Sequence, residues 1–354
     1  MLMENLGYNG TLARALKELG LDDVVPGRIV WQSAYDYRVQ CEEGEVAAQV
    51  TGRIRSSGLP GVGDWVAVRA DPDFEKGTIA AILPRKSAFS RSAIGRMVSE
   101  QVIAANIDEV FIVTDLDTDF NLRRIERYIT LVYNSGAIPV VVLNKTDLAL
   151  DVQSVLDETE AVSPGIPVYA VSAEEGQGID QLENRLGHGK TVAFLGSSGV
   201  GKSTLINCLL GEERMEVGAV REGDGKGRHT TTHRELILLP GGGAVIDTPG
   251  MREIGVWGDE QGLAGAFPEV GDLASACRFR DCRHEIEKGC AVIAAADSGA
   301  IDSDRLESYR KLRAEFENLE VRKGRHARME ERREGKRFAK MVREVERDNP
   351  KRRK

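Results

Sequence analysis

Residues 191–210 read "TVAFLGSSGVGKSTLINCLL", and this stretch decides the fold of the chain around it. Its centre, "GSSGVGKST", fits G-x-x-x-x-G-K-[ST] between an apolar strand and an apolar helix. Glycines there let backbone N–H groups wrap phosphate oxygens at a helix N-terminus. We therefore predict a phosphate site in which Lys202 reaches the β- and γ-phosphates and Ser203 ligates Mg²⁺. The predicted binding residues of this loop are Gly196, Ser197, Ser198, Gly199, Val200, Gly201, Lys202, Ser203 and Thr204.

Short apolar segments alternate with helical patterns on both sides of this loop, which predicts an α/β region with a mostly parallel sheet. Ligands bind such sheets at the carboxyl ends of the strands. The predicted strands are "EVFIV" (109–113), "IPVVVL" (138–143), "IPVYAV" (166–171), "TVAFL" (191–195), "RELILL" (234–239) and "GAVID" (243–247).

A guanine-recognition pattern, "NKTD", follows the strand at 138–143 and comprises Asn144, Lys145, Thr146 and Asp147. The carboxylate of Asp147 can accept two hydrogen bonds, from N1–H and the 2-amino group of guanine, and adenine lacks this donor pair. The segment "VSAEEG" at 171–176 ends another strand. There we expect the Ala173 N–H to meet guanine O6 while Ser172 braces the loop.

The order of these motifs is unusual, because the base reader precedes the phosphate loop. "DTPG" at 247–250 comes last. We expect Asp247 to hold Mg²⁺ through a water, and the Gly250 N–H to meet the γ-phosphate. This is the usual GTPase order cut open between "DTPG" and "NKxD" and rejoined through "NRLGHGK" at 184–190, which a sheet tolerates if the original termini can be bridged.

The segment "GDGKGRHTTTHRE" at 223–235 lies between the two phosphate motifs and is polar and Gly-rich, as expected of a nucleotide switch. We predict that Thr231 or Thr232 closes over Mg²⁺. The position where Ras-type enzymes carry a water-orienting Gln is Met251, which cannot polarise water. His229 is the internal candidate for that task, and packing of the switch loop is its alternative role. The predicted catalytic residues are His229, Lys202, Thr231 and Thr232.

The N-terminal part has a different texture. Residues 1–25 show Leu12, Leu16 and Leu19 at helical spacing. Five short β-rich segments then follow between Gly27 and about Leu83, which suggests a small OB-fold or SH3-like barrel. These segments are "GRIVWQ", "YDYRVQ", "EVAAQVTGRI", "DWVAVRA" and "GTIAAIL".

A cysteine and histidine cluster, "CRFRDCRHEIEKGC", spaces four residues as C-x₄-C-x-H-x₅-C. Three thiolates and one imidazole fit a closed, four-coordinate structural Zn²⁺ site, with free buried cysteines as the alternative. The predicted ligands are Cys277, Cys282, His284 and Cys290. An odd total of five cysteines argues against a secreted disulfide framework. A helix is predicted to begin near Ser303 or Asp304.

Charge is unevenly spread along the chain, whose net charge is −8. Residues 321–354 hold 15 basic and 6 acidic side chains, so the body is acidic and the tail basic. Such asymmetry suggests a polyanionic partner, although a solvated tail is the alternative. No apolar run approaches the roughly 20 residues of a membrane span, and no secretory signal is visible. We expect a cytoplasmic monomer without a membrane partner.

With the permuted order, the phrases "GRHTTTHREL" and "DTPGMREIGVW" and the Cys/His spacing, the sequence resembles the bacterial small-ribosomal-subunit-dependent GTPases (RsgA, also called YjeQ). The resemblance implies an OB-fold barrel, a circularly permuted GTPase and a helical zinc-binding domain. It also implies GTP hydrolysis stimulated by the 30S subunit, 16S rRNA binding, late subunit maturation and a catalytic His229. The predicted domain limits are 1–26 (N-terminal appendage), 27–85 (barrel), 86–255 (GTPase), 256–320 (zinc-binding helices) and 321–354 (basic tail).

Two other functions remain open at this point. A permuted GTPase could act on the large ribosomal subunit instead, although a barrel and a zinc module on either side argue against it. Met251 also keeps open a nucleotide-regulated RNA-binding scaffold in which hydrolysis is incidental.

Overall fold

The computed structural model describes residues 2–33, 36–92, 100–116, 119–215, 234–247, 260–318 and 321 of the 354-residue chain. Several predicted residues lie outside these ranges, so their predicted roles are not addressed by the fold. They are His229, Thr231, Thr232, Gly250, Met251 and the tail beyond Val321.

The N-terminal barrel contains five strands, and their order identifies it as an OB-like barrel, which confirms the first of the two predicted alternatives. The strands are β1 (Val25–Ser33), β2 (Asp36–Gln40), β3 (Glu45–Val50), β4 (Trp65–Ala70) and β5 (Lys76–Ile82). They pair in the order β1-β2-β3-β5-β4, and β4 closes back onto β1. Side chains of β2 and β3 alternate between buried and exposed, as expected of strands with one face on a core.

One predicted strand is wrong in its second half. The segment "EVAAQVTGRI" leaves the sheet after Val50, and α3 (Gly52–Ser57) follows. Thr51 is the N-cap of this helix, since its backbone is extended and its side-chain oxygen accepts from the Ile54 N–H at 3.5 Å. A threonine cap of this kind ends a strand and begins a helix.

Two short helices precede the barrel: α1 (Leu2–Asn5) and α2 (Gly10–Glu18). The side chain of Asn9 caps α2 by accepting from two backbone N–H groups. Met3 and Leu6 of the first segment are buried, and so is Leu12, whereas Leu19 is exposed. The N-terminal segment is therefore packed against the rest of the molecule through Met3, Leu6 and Leu12.

The central region forms a mostly parallel sheet whose strands agree with the predicted ones. They are β8 (Glu109–Asp115), β9 (Ile138–Asn144), β10 (Val168–Ala170), β11 (Thr191–Leu195), β12 (Arg234–Leu238) and β13 (Ala244–Asp247). Their spatial order is β10-β9-β8-β11-β13-β12, and only β12 runs antiparallel to its neighbour in this set. The helices between them are α4 (Leu122–Ser135), α5 (Val152–Val162), α6 (Ile179–Glu183) and α7 (Lys202–Leu210). A hairpin of β6 (Ala88–Ser92) and β7 (Glu100–Ala105), absent from the predicted elements, connects barrel and sheet.

The barrel and the central sheet share one ladder of strands. Strand β1 pairs with β12 through Trp31–Glu235 and Gln32–Arg234, so the two parts form a single eleven-stranded sheet. The central strands bury both faces, with Leu236 in one hydrophobic core and the next residue, Ile237, in another. Strands covered on both faces are typical of parallel α/β sheets.

In the part of the chain that the structure describes, four helices follow the sheet and pack on its α4 side. They are α8 (Glu260–Ala266), α9 (Pro268–Ala274), α10 (Ala291–Asp297) and α11 (303–318). The last begins where predicted, because the Asp302 carboxylate accepts from the N–H groups of Asp304 and Arg305. Phe267 and Phe316 are buried in this region. Among the described residues, we find no helix that combines the length and the apolar character of a membrane span.

Candidate functional site

The phosphate loop lies at the carboxyl edge of the central sheet, between β11 and α7. Gly196 and Gly201 both have positive φ angles, at +155° and +93°. A Cβ on Gly196 would lie 2.2 Å from the Val113 carbonyl oxygen, and one on Gly201 would lie 2.2 Å from the Asn144 side chain. Both positions therefore favour glycine, because their φ angles are positive and a Cβ would press on the β8 backbone at 196 and displace the Asn144 amide at 201.

Helix α7 begins at Lys202, which places Ser203 and Thr204 in its first turn. The N–H groups of a first turn are unpaired within the helix and attract anions. The Lys202 ammonium donates to the carbonyl oxygen of Gly196 at 2.9 Å and to that of Ser197. The Lys202 ammonium thus lies against the first residues of the loop itself.

Asn144 joins the base-reading loop to both neighbouring loops. Its side-chain amide donates to the Val200 carbonyl of the phosphate loop at 2.9 Å. Its carbonyl oxygen accepts from the Ala173 N–H at 3.1 Å. A guanine O6 at this place would share the Ala173 N–H with Asn144. One buried side chain therefore fixes three loops at one edge of the sheet.

Asp147 is held by the neighbouring strand loop. The Ser172 hydroxyl donates to Asp147 Oδ1 at 2.5 Å and accepts from the Glu175 N–H at 3.2 Å. The backbone of Thr146 donates to the Val171 carbonyl at 3.2 Å. These bonds orient the carboxylate through one of its oxygens, as recognition of a base edge requires.

Asp247 ends β13, which is paired in parallel with β11, the strand that leads into the phosphate loop. It therefore lies at the same edge of the sheet as the loops described above. Its neighbour Gly250, and the switch residues His229, Thr231 and Thr232, fall outside the described ranges.

The Cys/His cluster lies between α9 and α10, and its four donor atoms lie within 4.8 Å of one another. The sulfur of Cys277 is 3.8 Å from that of Cys290 and 3.7 Å from His284 Nδ1, and Cys290 Sγ is 3.3 Å from the same nitrogen. In a tetrahedral zinc site, neighbouring ligand atoms are roughly 3.5–3.8 Å apart. Cys282 completes a set that could hold a metal ion.

Helix α11 holds the backbone of this cluster. Arg310 donates to the His284 carbonyl at 2.6 Å, and Arg313 donates to the Cys282 carbonyl at 3.4 Å. His284 is buried and adopts a left-handed conformation, with φ of 61°. Burial, reinforced by the charge of Arg313, lowers the pKa of His284, so its imidazole is neutral at pH 7, as metal ligation requires.

Comparison with known proteins identifies the family of the chain. A family model described as RsgA GTPase matches residues 82–257. The protein named small ribosomal subunit biogenesis GTPase RsgA from Opitutus terrae is 47% identical over 329 residues, covering 89% of this chain and 90% of that one. A protein of the same name from Streptomyces coelicolor is 42% identical and covers 95% of this chain and 92% of its own length.

The chain belongs to the RsgA GTPase family. Its central region is thus a GTP-hydrolysing P-loop GTPase, and GTP with Mg²⁺ is the nucleotide ligand that the family implies.

Solved structures agree with this assignment at the level of the fold. The crystal structure of YjeQ from Thermotoga maritima aligns with a TM-score of 0.64 at 28% identity, covering 83% of this chain and 98% of that one. The structure of YloQ, described as a circularly permuted GTPase, aligns with a TM-score of 0.62 at 24% identity, covering 84% and 96%. The permuted order read from the motifs is therefore that of a known architecture.

Sequence reasoning missed one part of this RsgA-family site, the turn between β8 and α4. Asp115, Asp119 and Arg124 lie there against both the base-reading loop and the phosphate loop. A signal was available, because Asp115 comes two residues after the predicted strand 109–113, at the carboxyl edge of the sheet. The motif patterns of GTPases do not include it, however.

Proposed function

We propose that this chain hydrolyses GTP during maturation of the small ribosomal subunit, with turnover stimulated by the 30S particle through contacts to 16S rRNA. The observation that carries the GTPase part is Asn144, which joins the base, base-support and phosphate loops at one edge. The ribosomal part is supported by relatives that are named small ribosomal subunit biogenesis GTPases and are 47% and 42% identical over about nine tenths of their length.

The proposed roles in nucleotide binding follow the geometry of the three loops. Asp147 selects guanine, and Lys145, Thr146, Ser172 and Ala173 shape the pocket for the base. The loop from Gly196 to Thr204 binds the phosphates through backbone N–H groups. Lys202 meets the β- and γ-phosphates, Ser203 and one switch threonine (Thr231 or Thr232) ligate Mg²⁺, and Asp247 reaches the ion through water. Gly250 donates its N–H to the γ-phosphate.

For the chemical step we propose His229 as the residue that orients or activates water. Met251 stands where Ras-type enzymes carry glutamine and has no group that could do so. A general base acts only when it lies within hydrogen-bond reach of the attacking water. We therefore expect slow turnover until a partner positions His229.

For the Cys/His cluster we propose one structural Zn²⁺, bound by Cys277, Cys282, His284 and Cys290. Four protein ligands leave no open coordination position, so the ion would stabilise the fold and take no part in hydrolysis. The arginines of this loop (Arg278, Arg280 and Arg283) and the basic tail at 321–354 would neutralise phosphates of structured RNA.

We also propose the predicted domain limits, a cytoplasmic location and a monomeric state. An acidic body with a basic tail suits a protein that approaches ribosomal RNA through one end. Size-exclusion chromatography with light scattering, with and without GTP, tests the monomer.

The test of the main proposal is GTP turnover with and without 30S subunits, for the wild type and for His229→Ala. We expect stimulation of the wild type and an inert variant that still binds GTP. Stimulation by 50S and not by 30S particles would instead favour the large-subunit alternative, and equal rates with and without either particle would contradict the partner.

The guanine site has its own test, Asp147→Asn. Xanthine carries a 2-oxo group where guanine has an amino group, so an amide side chain should bind it better than a carboxylate does. We expect the variant to lose GTP affinity and to gain XTP affinity. Unchanged preference would remove Asp147 from the base site.

A further inference from the structure

Asp115 lies at the end of β8, between the base-reading strand β9 and the phosphate-loop strand β11, and its side chain is buried. Its two carboxylate oxygens have different partners. Oδ2 accepts from the Lys145 ammonium at 2.8 Å, and Oδ1 accepts from the Asp119 N–H at 2.7 Å. One acid therefore contacts the base-reading loop and the turn that leads into α4.

The turn between β8 and α4 also contacts the phosphate loop. Asp119 forms a close ion pair with Arg124, and Arg124 Nη1 donates to the Ser197 hydroxyl at 2.8 Å. The Thr114 hydroxyl donates to the Asp119 carbonyl at 3.0 Å, and the backbone of Arg124 donates to the Asn121 side chain, the cap of α4. These bonds fix where the arginine emerges beside the loop.

We propose that Asp115 is a positioning residue for GTP binding, which sets the base-reading loop and the phosphate loop in one register through Lys145 on one side and the Asp119–Arg124–Ser197 chain on the other. The inference rests on the proposed guanine site. The role requires a carboxylate, since an asparagine has a single acceptor oxygen and can keep only one of the two bonds. Its amide N–H₂ would face either the Lys145 ammonium or the Asp119 N–H.

The expected effect is on binding and not on chemistry. A loosened base-reading loop weakens contacts that the ground state and the transition state share, which raises KM and leaves kcat in place. A hydrogen bond to a charged group has a free energy equivalent to roughly a tenfold to hundredfold change in an equilibrium constant, and GTP affinity loses the part of it that orders the loop for binding. Asp115→Asn should therefore raise the Kd for GDP and GTP, and the KM for GTP, several-fold, up to about tenfold.

A matched control lies on the same strand. Glu109 begins β8, is also buried, and accepts from Arg185 at 2.7 and 2.9 Å, but at the edge of the sheet opposite the loops. Glu109→Gln should lower the unfolding temperature, because it too breaks a buried ion pair, and should leave Kd and KM unchanged. A Kd for GDP within twofold of the wild type in Asp115→Asn would overturn the inference, and so would an equal loss of affinity in Glu109→Gln.

A second set of variants covers the case in which Asp115→Asn does not fold. Arg124 is partly exposed, so Arg124→Gln should fold, and it and Ser197→Ala remove the same bond from opposite sides. Each should weaken GDP binding several-fold, and the double variant should lose no more than the larger single loss. Additive losses, or none, would contradict the chain of contacts.

If Asp147→Asn leaves GTP affinity intact, the guanine site itself is wrong. If Asp147→Asn lowers GTP affinity while Asp115→Asn leaves GDP and GTP affinity unchanged, only the role proposed for Asp115 is refuted.

Discussion

The central sheet is joined to its two neighbours in different ways. On the barrel side, backbone pairing of β1 with β12 continues the sheet. Within the described ranges, the buried Arg28 guanidinium donates to the backbone carbonyls of Leu6, Gly63 and Asn106. On the side of the C-terminal helices, α4 and α11 share an apolar core, and their described polar contacts include the side-chain ion pairs Glu126–Arg305 and Arg127–Glu315. The barrel junction is held by backbone hydrogen bonds, whereas the polar contacts of the helical junction require matched charges.

The second junction centres on Glu126 of α4, which is fully buried. It accepts from Arg305 at 3.0 Å and from the Ser308 hydroxyl at 2.5 Å, both on α11. Arg305 also pairs with Glu269 at 2.5 Å and donates to the Val162 carbonyl at 2.8 Å. Such a cluster is stable only while both signs of charge are present, because a lone buried charge has lost its water without gaining a partner.

Metal removal should give the largest difference in stability between the barrel and the C-terminal helices. If zinc holds the Cys/His cluster, chelation removes a contribution on the order of 10 kcal/mol to the folding of that region. Amides of α10 and α11 should then exchange rapidly, and amides of β1 to β5 should keep their protection. Hydrogen exchange followed by mass spectrometry measures both, and equal loss in the barrel would show a single cooperative unit.

Arg305→Met should have the next largest effect. It removes the cation that Glu126 and Glu269 share. Arg123 still donates to Glu126 at 3.0 and 3.1 Å, so the expected cost lies at the lower end of the about 3–5 kcal/mol for breaking a buried pair. Urea unfolding measures the loss. The double variant Glu126→Gln/Arg305→Met should recover part of it, and a single-variant cost below about 1 kcal/mol would show that packing alone holds this junction.

Arg28→Met should cost less, about 2 kcal/mol. Three carbonyls lose a donor, but the variant also relieves the burial that lowers the pKa of Arg28 to about 10. Arg28→Lys keeps the charge while losing the planar fork, and should be no better than methionine. A cost above that of Arg305→Met, in the same urea titration, would reverse the ranking of the two junctions.

The smallest effect is expected at the rim of the charged junction. Arg127 pairs with Glu315 at 2.8 Å, and both side chains are about two-fifths exposed. Arg127→Gln should cost between 0 and about 1 kcal/mol, and the cost should shrink in high salt. A double-mutant cycle with Glu315→Gln isolates the pair, and a salt-independent coupling would contradict a solvent-screened contact.

The features that the sequence predicted are local patterns, whereas most of those it missed depend on residues far apart in the chain. The phosphate loop, "NKTD" and the six central strands are local patterns, because each follows from the spacing of neighbouring residues. The permuted order also follows from the sequence alone. Helix α3 was missed because the β-like composition at 45–54 outweighed the Thr51 cap. Pairs such as Glu126–Arg305 join residues 179 positions apart, and no local pattern selects one arginine from 48 basic side chains.

Strand β12 ends up between β1 of the barrel and β13 of the nucleotide sheet, with Leu236 and Ile237 in two different hydrophobic cores. Because strand side chains alternate with a period of two, sliding β12 by a single residue would exchange its two faces. Gradual sliding between barrel and nucleotide site is therefore forbidden. A change of register at this joint would therefore come in whole-residue steps, and a one-residue step would expose one core while burying the other face.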